Sequence, residues 1–385
     1  MFLLQNRATF GCRGTIRGKM RRQYESLVER ASERVHTNAA PQAFDRRGLA
    51  HRETSASVTP SPVLHALPVI TQDSVRPRAQ IGKALVDLRN GRRSERIRAA
   101  RELGDIAISA GIKIPEAIVP LSVTLVGDRD PTVRQEAAWS LWKLGDERGH
   151  RPLLRALVDD PSAVVREKAA RALGLLGVRE AIPAMIDLIS LERHVPARLR
   201  AGIACAFGYL AEERLLTYLL KASEEAEPLV RYEAVRSLGR FLIGFSQETS
   251  ERVFKLLMRY LKPSCEPCGF IRKAAIKALR FSTAESATVA VAKTLVEDPD
   301  AAAREVAADA LILWDSEHSE RALVAGLTDD FWPVRKAAAR SLARFIMRYG
   351  VYDSTAVCEA LRRMERMFPS HSFEWRLAAD AFASL

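Results

Sequence analysis

Residues 163 to 177 read Ala-Val-Val-Arg-Glu-Lys-Ala-Ala-Arg-Ala-Leu-Gly-Leu-Leu-Gly, and the reading of this stretch decides the fold because its pattern returns along the chain. Counting from Arg166, alanines stand at positions three and four (Ala169, Ala170), a leucine at seven (Leu173) and glycines at eight and eleven (Gly174, Gly177). On a helix these positions place the small residues and the leucine on one face.

Aligning on the arginine gives Arg96, Arg134, Arg166, Arg200, Arg231, Arg272, Arg304 and Arg335, with steps of 38, 32, 34, 31, 41, 32 and 31 residues. A ninth, weaker unit ends the chain. Alanine pairs recur at Ala99-Ala100, Ala137-Ala138, Ala169-Ala170, Ala307-Ala308 and Ala338-Ala339, and leucine returns at position seven as Leu103, Leu141, Leu173, Leu238, Leu279, Leu311 and Leu342. Upstream of each arginine helix lies an amphipathic segment, among them Leu153 to Val158, Ile182 to Ile189, Leu215 to Leu220, Val253 to Leu261, Val289 to Val296 and Leu323 to Leu327. The two are joined by an acidic turn: Asp130-Pro131, Asp160-Pro161, Glu227-Pro228 or Asp298-Pro299. Aspartate favours the N-cap, where its carboxylate accepts backbone N–H groups, and proline is tolerated in the first helical turn. Each unit is therefore expected to be helix, turn, helix.

Such units cannot bury an apolar face alone, so neighbours must stack. With helices about 8 to 10 Å apart, nine layers would make a curved rod on the order of 80 Å long. The Asp-Pro-x-x-Val-Arg segment (Asp130 to Arg134, and Asp160 to Arg166 with one added residue) and the Ala-Ala-x-x-Leu-Gly segment (Ala169 to Gly174) resemble the HEAT repeat, in particular the phycobilisome-lyase HEAT-like type. The resemblance covers residues 79 to 385 and implies an all-α, right-handed solenoid of the armadillo type with about nine helix pairs. It is specific for the fold and unspecific for activity.

Composition agrees with a helical chain: hydrophobic residues make up 48% and aromatics 7%. No run approaches the roughly 18 to 20 apolar residues that cross a bilayer. Five cysteines, mostly scattered, imply no disulfide framework, and a reducing, cytoplasmic location is expected. The net charge of +12 is unevenly placed. Residues 1 to 78 carry 13 Lys/Arg against 6 Asp/Glu, a net of +7, which leaves +5 for the other 307 residues. Arg7, Arg13, Arg17, Lys19, Arg21 and Arg22 open the chain without a sustained apolar core, which argues against a secretory signal and leaves a transit peptide, or a true start at Met20, as alternatives. Pro41, Pro60, Pro62, Pro68 and Pro77 among Ser, Thr and Ala mark residues 37 to 78 as linker, so 1–78 is expected to be a largely disordered basic extension and 79–385 the repeat array.

One arginine and one turn acid per layer suggest a structural ladder of Asp130, Arg134, Asp160, Arg166, Arg200, Arg231, Arg272, Asp298, Arg304 and Arg335, since the guanidinium fork supplies several donors. Losing one rung, as in Arg166→Ala, is expected to cost about 1.5 to 3 kcal/mol. In HEAT-like arrays the second helices line the concave face. Positions five and nine, four residues apart on one helix side, then form a mostly basic column with aromatics interleaved: Trp139, Lys143, Arg171, Tyr209, Arg236, Arg240, Lys277, Arg340 and Arg344. Such a column suits an acidic protein segment, and nucleic acid less well.

No catalytic constellation stands out. Cys265 and Cys268 have the spacing of half a zinc site with no second pair nearby, so no metal is expected. None of the seven histidines precedes a glutamate, so the repeated His-Glu pairs by which deoxyhypusine hydroxylase, a HEAT-repeat enzyme, binds iron are missing. The leading expectation is a non-catalytic scaffold, without a cofactor, that binds a partner protein along the concave face. Two alternatives stay open: a phycobilin-lyase-like protein that binds a linear tetrapyrrole and a phycobiliprotein, as the resemblance implies, and a nucleic-acid protein related to HEAT-like DNA glycosylases.

Overall fold

The computed structural model describes residues 72–191 and 195–367. The expectations for residues 1–71 and for the second half of the ninth unit fall outside the described residues. Seventeen helices follow one another, and no strand occurs among the described residues. They are α1 (Gln72–Asn90), α2 (Arg93–Ala110), α3 (Pro115–Gly127), α4 (Pro131–Leu144), α5 (His150–Asp159), α6 (Ala163–Leu175), α7 (Ile182–Leu191), α8 (Ala197–Leu210) and α9 (Leu216–Ser223). The remainder are α10 (Pro228–Leu238), α11 (Gln247–Tyr260), α12 (Gly269–Leu279), α13 (Glu285–Glu297), α14 (Ala301–Leu311), α15 (Glu317–Gly326), α16 (Trp332–Tyr349) and α17 (Ser354–Met367). Helix α1 begins at Gln72, inside the stretch assigned to the extension, and carries Pro77 in its first turns.

All eight key arginines lie on even-numbered helices, the second helix of each pair. The chain divides into two compact units at Val158 and Asp159. Within the first, α2 packs on α4; within the second, α6, α8, α10, α12, α14 and α16 each pack on the next, with the odd-numbered helices alongside. The repeated alanines and leucines are the core. Ala99, Ala100, Leu103, Ala137, Ala138 and Leu141 are sealed from solvent in the first unit, as are Ala169, Ala170, Leu173, Ala307, Ala308, Leu311, Ala338 and Leu342 in the second. At Arg200's position seven a phenylalanine, Phe207, replaces leucine and is equally buried.

The position-eight glycines set the layer spacing. A Cβ on Gly174 would lie 2.5 Å from Ala206 Cα, and one on Gly239 2.7 Å from Ala278 Cα. In both cases the obstructing residue stands at position six of the next arginine helix, so the absent side chain is what lets consecutive second helices meet along their backbones. The chain is thus an all-α solenoid built from helix pairs.

Candidate functional site

In the second unit Arg200, Arg231, Arg272 and Arg304 share one geometry, each guanidinium spanning two turns: its Nη1 donates to main-chain carbonyls of its own turn, and its fork donates to the carboxylate of the following turn. Arg272 donates from Nη1 to the carbonyls of Glu266 (2.8 Å) and Pro267 (2.9 Å), and from Nε and Nη2 to Asp298 at 2.7 and 2.6 Å. Arg304 does the same with the Asp298 carbonyl (2.8 Å) and the Asp329 carboxylate (2.7 and 2.9 Å). Arg231 joins Glu266 and the Glu225 carbonyl, Arg200 joins Glu225 and the Val195 carbonyl, and Arg335 donates to the carbonyls of Asp329 and Asp330. In the first unit Arg96 pairs with Asp128 at 2.7 Å and Arg134 donates to the Asp128 carbonyl at 2.8 Å. Arg166 is buried.

This arrangement separates two acids that the sequence reading merged. Each carboxylate that receives a ladder arginine stands six residues before the next one, at Asp128, Glu225, Glu266, Asp298 and Asp329, and Asp160 holds the same place before Arg166. Asp130 stands four before, so it is not the partner of Arg96. Instead it caps α4, accepting the N–H groups of Thr132 (2.8 Å) and Val133 (3.3 Å), and receives Arg93. Asp300 does the same for α14. Glu227 caps α10 by position only, its side chain making no cap bond. The reason is geometric: a cap must reach N–H groups two and three residues ahead, whereas the ladder acid must face the preceding layer. Asp298 secures that pose by accepting the N–H of Asp300 at 2.8 Å, and Asp160 accepts the N–H of Ser162 at 2.8 Å. The loop holding Cys265 and Cys268 has a place in the same scheme, because Glu266 between them is the rung for Arg231. Both thiols are free, and no group of three or more metal-ligating side chains occurs among the described residues.

The expected basic column divides into three environments. In the first unit Trp139 lies against Trp142 with ring centroids 4.4 Å apart, and Lys143 binds Asp105 at 2.5 Å. In the middle, on α6, α8 and α10, the cations are consumed by two buried carboxylates absent from the expected column. Arg171 donates to Glu167 (2.5 Å) and Glu233 (2.8 Å), Arg198 donates to Glu167 (3.1 Å), and Arg236 donates to Glu233 (2.6 Å) and to Cys205 Sγ (3.1 Å). Room for Glu167 comes from Gly202, whose Cβ would lie 2.9 Å from the Glu167 Cγ. Burial pushes the Cys205 thiol above its ordinary value, against the lowering effect of Arg171 and Arg236, so it remains a protonated thiol near neutrality. Burial opposes the charge on Arg171 and Arg236 as well, but the neighbouring acids outweigh it and hold both above the ordinary arginine value. Arg240 projects outward and lies 4.0 Å over the ring of Tyr209.

The third environment, on α12, α14 and α16, stays open. Lys277 and Arg344 are exposed, and Arg340 binds Asp309 at 2.6 Å. Two exposed aromatics that the column missed, Phe270 and Trp332, sit at the helix starts beneath Lys273 and Lys336. Their signal was available: each aromatic precedes its lysine by three or four residues, which is one helix face.

Stacked helix pairs tied by arginine–carboxylate rungs between successive turns define a HEAT-type solenoid. The family model for HEAT repeats matches residues 82–174, 125–201, 150–239, 219–312 and 288–366, and the chain belongs to the HEAT-repeat family. Among curated proteins the chain is similar to the bilin biosynthesis protein PecE of Nostoc sp., 32% identical over 157 residues, which is 36% of this chain and 60% of that protein. It is also similar to the phycocyanobilin lyase subunit alpha of Picosynechococcus sp., 32% identical over 124 residues, covering 29% of this chain and 46% of that one. The chain therefore spans between about half and three fifths of the curated relatives it matches. Among solved structures, the complex of CpcE and CpcF of phycocyanin lyase from Nostoc sp. aligns at 21% identity over 70% of this chain and 97% of that chain, with a TM-score of 0.44. Human deoxyhypusine hydroxylase aligns at 21% identity over 70% of this chain and 97% of that chain, with a TM-score of 0.32. No described helix is long and apolar enough to cross a membrane.

Proposed function

We propose that this chain is a bilin-lyase-like HEAT-repeat protein, which holds a linear tetrapyrrole on the exposed face of its second helices and works with a protein partner. The observation that carries this reading is the 32% identity to the bilin biosynthesis protein PecE over 157 residues. That another relative is a lyase subunit supports the partner. It displaces the plain scaffold as the leading reading and keeps its central idea, a repeat surface that binds protein.

The residues present fit the chemistry. A linear tetrapyrrole has a flat apolar body and two carboxylate arms. Tyr209, Phe281 and Leu313 stand at position nine of successive or near-successive arginine helices, with Phe281 and Leu313 exposed, and offer apolar contact to such a body. Arg240 over Tyr209 and Arg280 over Phe281 (5.7 Å) are placed to meet carboxylates beside those rings. In this reading Arg171 and Arg236 belong to the support beneath, because their donors are already committed to Glu167 and Glu233.

Titrating biliverdin into the full chain while recording visible absorbance and induced circular dichroism tests the reading. A saturable spectral change that Arg240→Ala and Phe281→Ala weaken supports it. Spectra identical to those of free biliverdin throughout the titration leave a HEAT scaffold without tetrapyrrole.

A further inference from the structure

We propose that the exposed face of α12, α14 and α16 is a docking surface for a protein segment of split acidity, two carboxylate clusters separated by a polar or basic stretch. The inference does not depend on tetrapyrrole binding.

The two outer helices carry the same device. Lys273 Nζ lies 5.2 Å from the ring centroid of Phe270 on α12, and Lys336 Nζ lies 4.9 Å from that of Trp332 on α16. Both rings are open to solvent, 44% and 52% exposed. The Phe270 ring is held in place by stacking on Tyr232 at 4.1 Å. A lysine resting on an aromatic face keeps its other side available to an anion, and the ring beside it supplies apolar contact of the kind that anchors protein interfaces. Among the described residues no ion pair engages Lys273, Lys277, Lys336 or Arg344.

The helix between them has the opposite character. On α14, Glu305 and Asp309 occupy the positions that Lys273 and Lys277 hold on α12 and that Lys336 and Arg340 hold on α16. Asp309 is taken by Arg340 at 2.6 Å, whereas Glu305 is in no ion pair among the described residues. Since α14 packs on both neighbours, the face presents positive, negative and positive bands, the outer two separated by two helix spacings of about 8 to 10 Å each. A nucleic-acid strand is negative at every nucleotide and would bring phosphate onto Glu305. A protein segment can place acids over α12 and α16 and a neutral or basic residue over α14, which is where charge complementarity selects the occupant.

The test uses a fluorescein-labelled peptide of two short glutamate blocks joined by about eight Gly, Ser and Lys residues, a linker whose r.m.s. span is on the order of 16 Å. Its affinity for the full chain, measured by anisotropy at low salt, is compared with that of an uninterrupted glutamate peptide of equal net charge and of single-stranded oligo-dT. We expect the split peptide to bind at least about fivefold more tightly than either, because both blocks engage at once. Lys273→Glu with Lys336→Glu should weaken it at least about tenfold, and Glu305→Lys should abolish the preference for the split form. All three positions are outside the core, and circular dichroism checks that the variants fold. Equal or tighter binding of oligo-dT or of the uninterrupted peptide overturns the proposal, as does undetectable binding of the split peptide or an unchanged affinity in the double variant. Anisotropy of the peptide and absorbance of biliverdin are separate signals, so failure of one reading leaves the other standing.

Discussion

Arg272 and Arg200 hold the same place in the repeat, but their surroundings differ enough to separate their energetics. The side chains of Arg272 and Asp298 are 2% and 1% exposed, while those of Arg200 and Glu225 are 28% and 30% exposed. Removing Arg272 strands a buried carboxylate and two main-chain carbonyls, so Arg272→Ala should cost about 3 to 5 kcal/mol, whereas Arg200→Ala, whose acid can rehydrate, should cost about 1 kcal/mol. Urea unfolding measures both, and equal costs would show that burial is not what makes a rung strong. Asp130 offers a pH test. Its bond from Arg93, reinforced by the N–H groups of Thr132 and Val133, lowers it from 3.8 to about 2. A carboxylate depressed in the fold stabilises it above the unfolded value and loses that contribution as pH falls through the folded one, here between about pH 5 and 2. Asp130→Asn keeps the cap without the charge. Its stability should therefore fall less steeply than that of the wild type across that window in acid titrations followed by circular dichroism, and superimposable curves would rule the linkage out.

At the scale of helices, contact between successive second helices depends on what is missing at position eight. Gly174→Ala would place a Cβ 2.5 Å from Ala206 Cα, and backbone cannot yield as a flexible side chain can. The overpacking penalty of about 1 to 3 kcal/mol is offset by the roughly 1 kcal/mol by which alanine improves a helix over glycine. A net loss of up to about 2 kcal/mol is expected. Gly127→Ala, where a Cβ meets nothing within 4 Å, is the control and should be neutral or mildly stabilising in the same melts. Helix pairing was legible in the chain because alanine, leucine and glycine recur at fixed distances from one arginine. The ladder acid was legible in part: the aspartate of Asp298-Pro299 is a rung, whereas in Asp130-Pro131 the same dipeptide marks the neighbouring cap. The pairing of Arg171 and Arg236 was not legible. Glu167 and Glu233 stand at positions one and two of their own repeats, and only packing of α6, α8 and α10 brings them onto the column. Spacing along one helix cannot show which acid a neighbouring layer will supply.

At the scale of the array, stability is expected to be a sum of layer terms and nearest-neighbour terms. Gly174 acts between α6 and α8, and Arg272 between α12 and α14, with α10 intervening. The two positions share no partner, so their effects within the second unit should add to within about 0.5 kcal/mol. Whether they add within one transition depends on how tightly the layers are coupled. Every second helix from α6 to α16 packs on the next, and the rungs Arg200, Arg231, Arg272 and Arg304 each join one turn to the following turn. A lesion in one layer should therefore draw on its neighbours rather than melt alone. The double variant Gly174→Ala, Arg272→Ala is accordingly expected to unfold in urea with the unit's transition still single, its midpoint displaced by the sum of the two single displacements. Far-UV circular dichroism and the fluorescence of the tryptophans, Trp314 and Trp332 among them, should trace the same curve. If the fluorescence transition separated from the helical one, or the displacements fell short of their sum by more than about 1 kcal/mol, the ladder would be fastening pairs of layers and not the run from α6 to α16.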